Sequence, residues 1–178
     1  MKKMTTIECT TCALFAALTA VLSQIAVPIG PVPINLATFS VFLAGALLGA
    51  KLGAVSQAVY VLLGAVGVPV FSMFRGGPGI LFGPTGGYIA GYVLAAWLVG
   101  LITERYGNKA AVLALAMLAG FFSYMTTGTC WYMFVTKSGL AEALMVCVVP
   151  FLPGDALKMV LAAVLARGLK PVLQRKLA

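Results

Sequence analysis

Asp155 and Lys158 stand three positions apart in Pro150-Phe151-Leu152-Pro153-Gly154-Asp155-Ala156-Leu157-Lys158, just ahead of an apolar run from Met159 to Ala166. A carboxylate and an ammonium at that spacing can pair on one helix face, hold a polar ligand or relay a proton. Only 9% of the residues are charged and 62% are hydrophobic, so such a pair inside a greasy stretch is not surface decoration. Ionisable groups at membrane depth are costly and usually face a cavity or a pathway. Acid–base catalysis has little else to draw on: there is no histidine and Asp and Glu total four. A membrane-embedded hydrolase is therefore poorly supplied, and no enzyme is expected. No G-x-x-x-x-G-K-[ST] loop occurs, which removes an ATPase from this chain. Cys9-Thr10-Thr11-Cys12 has the spacing of a redox dithiol or half a zinc site, with Cys130 and Cys147 further on. Without histidine or a second C-x-x-C, the four thiols read as small apolar fillers, and no metal or cofactor is expected.

Other polar and aromatic residues gather near glycine and proline. Asn35, Thr85 and Tyr88 could hydrogen-bond a neutral polar ring together with Asp155, while Arg75 and Lys158 set two positive charges against one negative. Phe71, Phe74, Phe82 and Trp131 could form apolar walls, and the glycine clusters at 76–79 and 83–87, including Gly86, suit a backbone that approaches a ligand closely. Small-molecule sites have this mix of apolar lining and a few placed polar groups. Plainer roles exist for each: Asp155 as a helix N-cap, Arg75 as a head-group anchor, and Tyr88 and Trp131 as interfacial belt residues.

The elements that must position these groups are membrane spans. Mean hydropathy is +1.07, and apolar blocks near the roughly 20 residues that cross a bilayer recur along the chain. Breaks divide it into spans at about residues 8–27, 35–50, 53–67, 88–102 and 110–134, a short segment 140–149, and a last helix at 155–169. The expectation is an all-α membrane protein: one integral domain over 1–178, a bundle of six transmembrane helices, the first of them uncleaved, with an outward-facing ligand pocket capped by loops. Basic residues favour cytoplasmic loops. With both termini cytoplasmic, Lys2, Lys3, Lys51, Arg105, Lys109, Arg167, Lys170, Arg175 and Lys176 lie inside, and Arg75 and Lys137 outside. The net charge of +8 is explained by that placement, and nothing suggests nucleic acid. From Arg167 at the inner boundary, Asp155 lies about 18 Å up the last helix, at 1.5 Å per residue. That is short of a hydrocarbon core about 30 Å thick. The spans ending near 67 and 88 stop low on the same side. Irregular backbone at such depth is tolerated only against protein or a wet cavity, so a pocket opens outward beneath loops 28–33, 69–87 and 136–154. Three helix N-termini, near Asn35, Tyr88 and Asp155, point at it and favour a ligand with a carboxylate.

The first span carries two interlocked small-residue pairs, Ala13/Ala17 and Ala16/Ala20, of the kind that lets helices approach closely in lipid. No inverted repeat of the secondary-transporter type is evident; binding is supported, self-powered transport is not.

Three landmarks together, Gly30-Pro31-Val32-Pro33-Ile34-Asn35-Leu36-Ala37-Thr38 running into Leu43-Ala44-Gly45-Ala46-Leu47-Leu48-Gly49, then Gly83-Pro84-Thr85-Gly86-Gly87-Tyr88, then 150–155 with Lys158, give the chain a likeness over nearly its whole length. It resembles the BioY family, the biotin-specific substrate-binding (S) components of energy-coupling factor (ECF) transporters. The resemblance implies a six-helix protein of a prokaryotic cell membrane that captures biotin outside. It would dock, through the alanine pattern, on a membrane coupling (T) subunit shared with two cytoplasmic ATPases, and ATP would be used only by those partners. Asp155 and Lys158 are then expected at the ureido end of biotin, and Arg75 or nearby loop amides at its carboxylate. The alternatives are an S component for another small vitamin, such as thiamine or riboflavin, and a small channel or pore-forming protein.

Overall fold

The structure, a computed structural model, describes residues 4–177, with side chains described through 171. Lys2 and Lys3, which the orientation argument puts inside, lie outside the described residues, as do the side chains of Arg175 and Lys176. Helix α1 (Thr6–Gln24) opens with a reciprocal cap: the Glu8 N–H donates to Thr5 Oγ1 at 3.3 Å and the Thr5 N–H donates to Glu8 Oε2 at 2.7 Å. It stops at Gln24, short of residue 27, because the next residues form a two-stranded antiparallel ribbon, β1 (Ala26–Val27) with β2 (Ile34–Asn35), in register Ala26 to Asn35 and Val27 to Ile34. This ribbon is a small departure from an all-helical expectation. It ties down the proline-rich loop between the first two spans.

Helix α2 (Ala37–Ala65) covers what the sequence divides into two spans. The division is real but falls at Gly49, whose φ of 83° and ψ of −176° lie in a region essentially restricted to glycine. A methyl group on Gly53 would come within 3.0 Å of the Gly45 Cα. In a straight helix these residues would be about 12 Å apart, so the chain turns back on itself and the two halves pack as a hairpin. Glu104 secures the turn by accepting the Ala50 N–H at 3.1 Å, satisfying one of the donors a helix start leaves free.

A turn at Ser72–Phe74, a short α3 (Pro78–Leu81), α4 (Gly86–Tyr106), α5 (Ala110–Thr136), α6 (Leu140–Cys147) and α7 (Leu152–Leu177) follow. Helix α7 begins three residues earlier than expected, since Pro153 sits in its first turn, where a missing N–H costs nothing. Helices α1, α2, α4 and α5 are long and apolar enough to cross a membrane, and α6 with Leu152–Pro171 makes a further candidate span bent by 54°. The core lies where α2 packs against α1, α4 and α7, with α5 behind α4. Outward surfaces of these helices carry Leu14, Val21, Leu62, Leu115, Phe122, Val160 and Val164, all exposed. This is the inverse of a water-soluble surface and the expected face toward acyl chains.

Candidate functional site

The first turns of α2, α4 and α7 converge on one cavity. It is open on one side, and its empty volume of about 560 Å³ includes that open mouth. At its closed end lies the ion pair: Lys158 Nζ donates to Asp155 Oδ1 at 2.7 Å, with Asp155 fully buried and Lys158 nearly so. Asp155 is not an N-cap. Its backbone N–H donates to the Phe151 carbonyl at 2.9 Å, inside the helix. Its carboxylate is gripped from two other helices instead: the Thr38 hydroxyl of α2 donates to Oδ1 at 3.1 Å, and the Tyr124 hydroxyl of α5 donates to Oδ2. Lys158 also donates to Thr38 Oγ1 at 3.2 Å. Removing two charges from water is expensive, and their mutual attraction offsets it only with such added hydrogen bonds.

The wall is aromatic. The Tyr88 ring stacks on Phe151 with centroids 6.5 Å apart and planes 5° apart, and meets the Tyr124 ring edge-on at 6.4 Å. Tyr92 meets Tyr124 edge-on at 6.0 Å, and Phe71 packs edge-on against Tyr60 at 5.6 Å. The Tyr88 hydroxyl is 3.0 Å from Thr129 Oγ1, so its polar end is satisfied while the residue lines the cavity. At the mouth stand Ser72, Arg75, Ile80 and Thr85. Asn35 bridges mouth and helix: its Oδ1 accepts the Ala37 N–H at 3.0 Å and its Nδ2 donates to Ser72 Oγ.

Of the residues the sequence singles out, Asp155, Lys158, Tyr88, Arg75, Asn35, Thr85 and Phe71 line this cavity. Gly86 and Trp131 do not. Gly86 is packed under the Leu81 carbonyl, and the Trp131 indole N–H is committed to the Gly83 carbonyl at 3.0 Å while its Cβ presses on Gly87. Both shape the start of α4 from behind. Phe74 and Phe82 are each 73% exposed and form no wall. Thr38, Tyr92, Tyr124 and Phe151 line the cavity without having been singled out. Tyr92 sits one turn beyond Tyr88 on the same face, a signal the sequence does carry; Tyr124 is a hydroxyl in an apolar helix that has to find a partner. The alanine pairs of α1 also separate. Ala13 and Ala17 are exposed, whereas Ala16 is 2% exposed and Ala20 packs against the core, so the second pair faces inward and cannot offer a docking surface.

A bundle of apolar helices closed around an ion pair and an aromatic cavity defines a membrane protein built to hold a small polar molecule. The sequence model of the BioY family matches residues 1–175, and the chain belongs to that family. The biotin transporter BioY of Thermotoga maritima is 42% identical over 157 residues, 88% of this chain and 92% of that protein. The probable biotin transporter BioY of Pyrococcus horikoshii is 40% identical over 158 residues, 89% and 93% of the two chains. Among solved structures, the S-component for biotin from an ECF-type ABC transporter superposes with a TM-score of 0.86 at 29% identity, covering 95% of each chain.

Proposed function

We propose that this chain is the high-affinity biotin-capturing subunit of an ECF-type uptake system. The observation that carries the proposal is a count of hydrogen-bonding capacity at the closed end of the cavity. A carboxylate offers about four acceptor sites and an ammonium three donors. Asp155 receives Lys158, Thr38 and Tyr124, and Lys158 donates to Asp155 and Thr38. Among the described residues, one acceptor position, on Oδ2, and one ammonium donor remain. The ureido ring of biotin presents the matching pair, an N–H and a carbonyl, on a neutral group that adds no charge to a site already balanced. The flat aromatic wall suits the apolar thiophane and tail, and Arg75 at the mouth suits the carboxylate.

The surrounding architecture is consistent with capture rather than self-powered transport. Counting α2 as two spans about Gly49 and α6 with α7 as one gives six transmembrane helices in a single integral membrane domain. Both termini are then cytoplasmic in a prokaryotic plasma membrane, and the cavity mouth, under the loops around Pro33, Ser72 and Thr85, faces outward. A membrane T subunit docks against the exposed Ala13/Ala17 face of α1, and two ATPases bound to it supply the energy. Titration of the purified protein against biotin, thiamine and riboflavin tests the proposal. One-to-one saturable binding of biotin alone is expected, weakened at least about tenfold by Asp155→Asn or Lys158→Ala, the equivalent of one lost hydrogen bond to a charged group. Full affinity in both variants sinks the site; binding of another vitamin in place of biotin sinks the ligand.

A further inference from the structure

The turn that carries Arg75 is gripped from outside the cavity by the end of α1, and one side chain there reaches both of its flanks. Gln24, the last residue of α1, donates through Nε2 to the Val70 carbonyl at 3.1 Å and accepts the Phe74 N–H on Oε1 at 2.8 Å. Its neighbour Ser23, fully buried, donates to the same Val70 carbonyl at 2.6 Å. Between these two pinned positions the chain makes a tight reversal. Phe71 and Arg75 exchange backbone hydrogen bonds of 2.9 and 3.2 Å, and Met73 and Phe74 adopt φ values of 63° and 56°. That left-handed conformation is unfavourable for residues with a Cβ and persists only where the surroundings over-determine it. Phe71 and Arg75, the two ends of the reversal, both line the cavity, whereas Gln24 does not. Ser23 shares the grip next to Phe71, whereas Gln24 alone holds Phe74, the residue before the cation at the mouth.

We propose that Gln24 is a positioning residue for biotin retention: it holds Arg75 over the mouth by clamping residues 70 and 74, so that the end of α1 sets how quickly bound ligand leaves. The inference rests on the assignment of the cavity to biotin and of Arg75 to its carboxylate. The test uses the full chain in lipid nanodiscs, following release of radiolabelled biotin and of its methyl ester, which lacks the charge Arg75 would hold. Gln24→Leu is expected to speed biotin release about tenfold, the loss of one charge-assisted contact, and to leave release of the ester unchanged. Gln24→Leu combined with Arg75→Ala should release biotin no faster than Arg75→Ala alone, because residues acting through one contact are not additive. Equal acceleration of biotin and ester, additive effects in the double variant, or no acceleration at all would each overturn the assignment. Amide exchange in ligand-free protein gives a second readout: the 70–76 segment should exchange faster in Gln24→Leu while α4 keeps its protection, and an unchanged segment refutes the clamp. If the unaltered protein fails to bind biotin, the ligand assignment falls, and the exchange result alone still decides whether Gln24 holds the turn.

Discussion

At the scale of single residues, the behaviour of Asp155 and Lys158 depends on neither being left alone. Lys158→Met strands a buried carboxylate, and Asp155→Ala strands a buried ammonium. Breaking one side of a buried pair costs about 3–5 kcal/mol, whereas replacing both partners with uncharged groups of similar size is often close to neutral. Thermal unfolding in detergent should therefore rank Lys158→Met well below the double variant Asp155→Asn with Lys158→Met, and a double variant less stable than the single would contradict the pairing. Tyr124→Phe removes one hydrogen bond to a charged acceptor while keeping the ring that packs against Tyr88, Tyr92 and Phe42. Its expected cost is about 1.5–3 kcal/mol in biotin affinity or stability, read by titration and melting together. Unchanged values on both would show that the hydroxyl is not needed to orient Asp155.

At the scale of elements, the hairpin within α2 is the feature on which the rest depends. It brings Thr38 to the ion pair while its second half carries Gln57 back to Thr19 and Ser40, a fully buried polar cluster joining α1 to both halves. Gly49 makes the reversal possible, and a Cβ there would meet both an unfavourable backbone region and the Glu104 carboxylate. Gly49→Ala is expected to lower stability by about 1–3 kcal/mol from strain alone, with a further loss if Glu104 is pushed off the Ala50 N–H. Melting temperature and the yield of monodisperse protein check this; a variant as stable as the parent would mean that the turn relaxes without Gly49.

At the scale of the whole molecule, the two faces of α1 meet different surroundings. Ala13 and Ala17 look outward, and Ala16 is buried. Ala13→Trp should leave biotin titration unchanged and abolish ATP-driven uptake when the coupling partners are present. Ala16→Trp should instead destabilise the protein, since overpacking a core position costs about 1–3 kcal/mol. If Ala13→Trp supports normal uptake, docking does not use this face.

The sequence by itself determined the solvent, the family and the polar actors. Composition requires lipid around most of the surface, the landmark segments carry the BioY likeness, and a charged pair in a chain with 9% charged residues announces itself. Helix existence was equally legible, because apolar runs of membrane length have few other fates. Only the tertiary structure decided which groups meet. Thr38 lies 117 positions from Asp155 and Tyr124 lies 31 away, so nothing local marks either as its partner. Trp131 has the chemistry of a ligand wall but spends its N–H on Gly83, and Ala16 has the size of a docking residue but faces the core. The physical reason is common to all of these. Residue type and spacing fix what a side chain can do and on which stripe of its helix it sits, but the rotation of that stripe toward cavity, core or lipid is set by how the helices pack against one another.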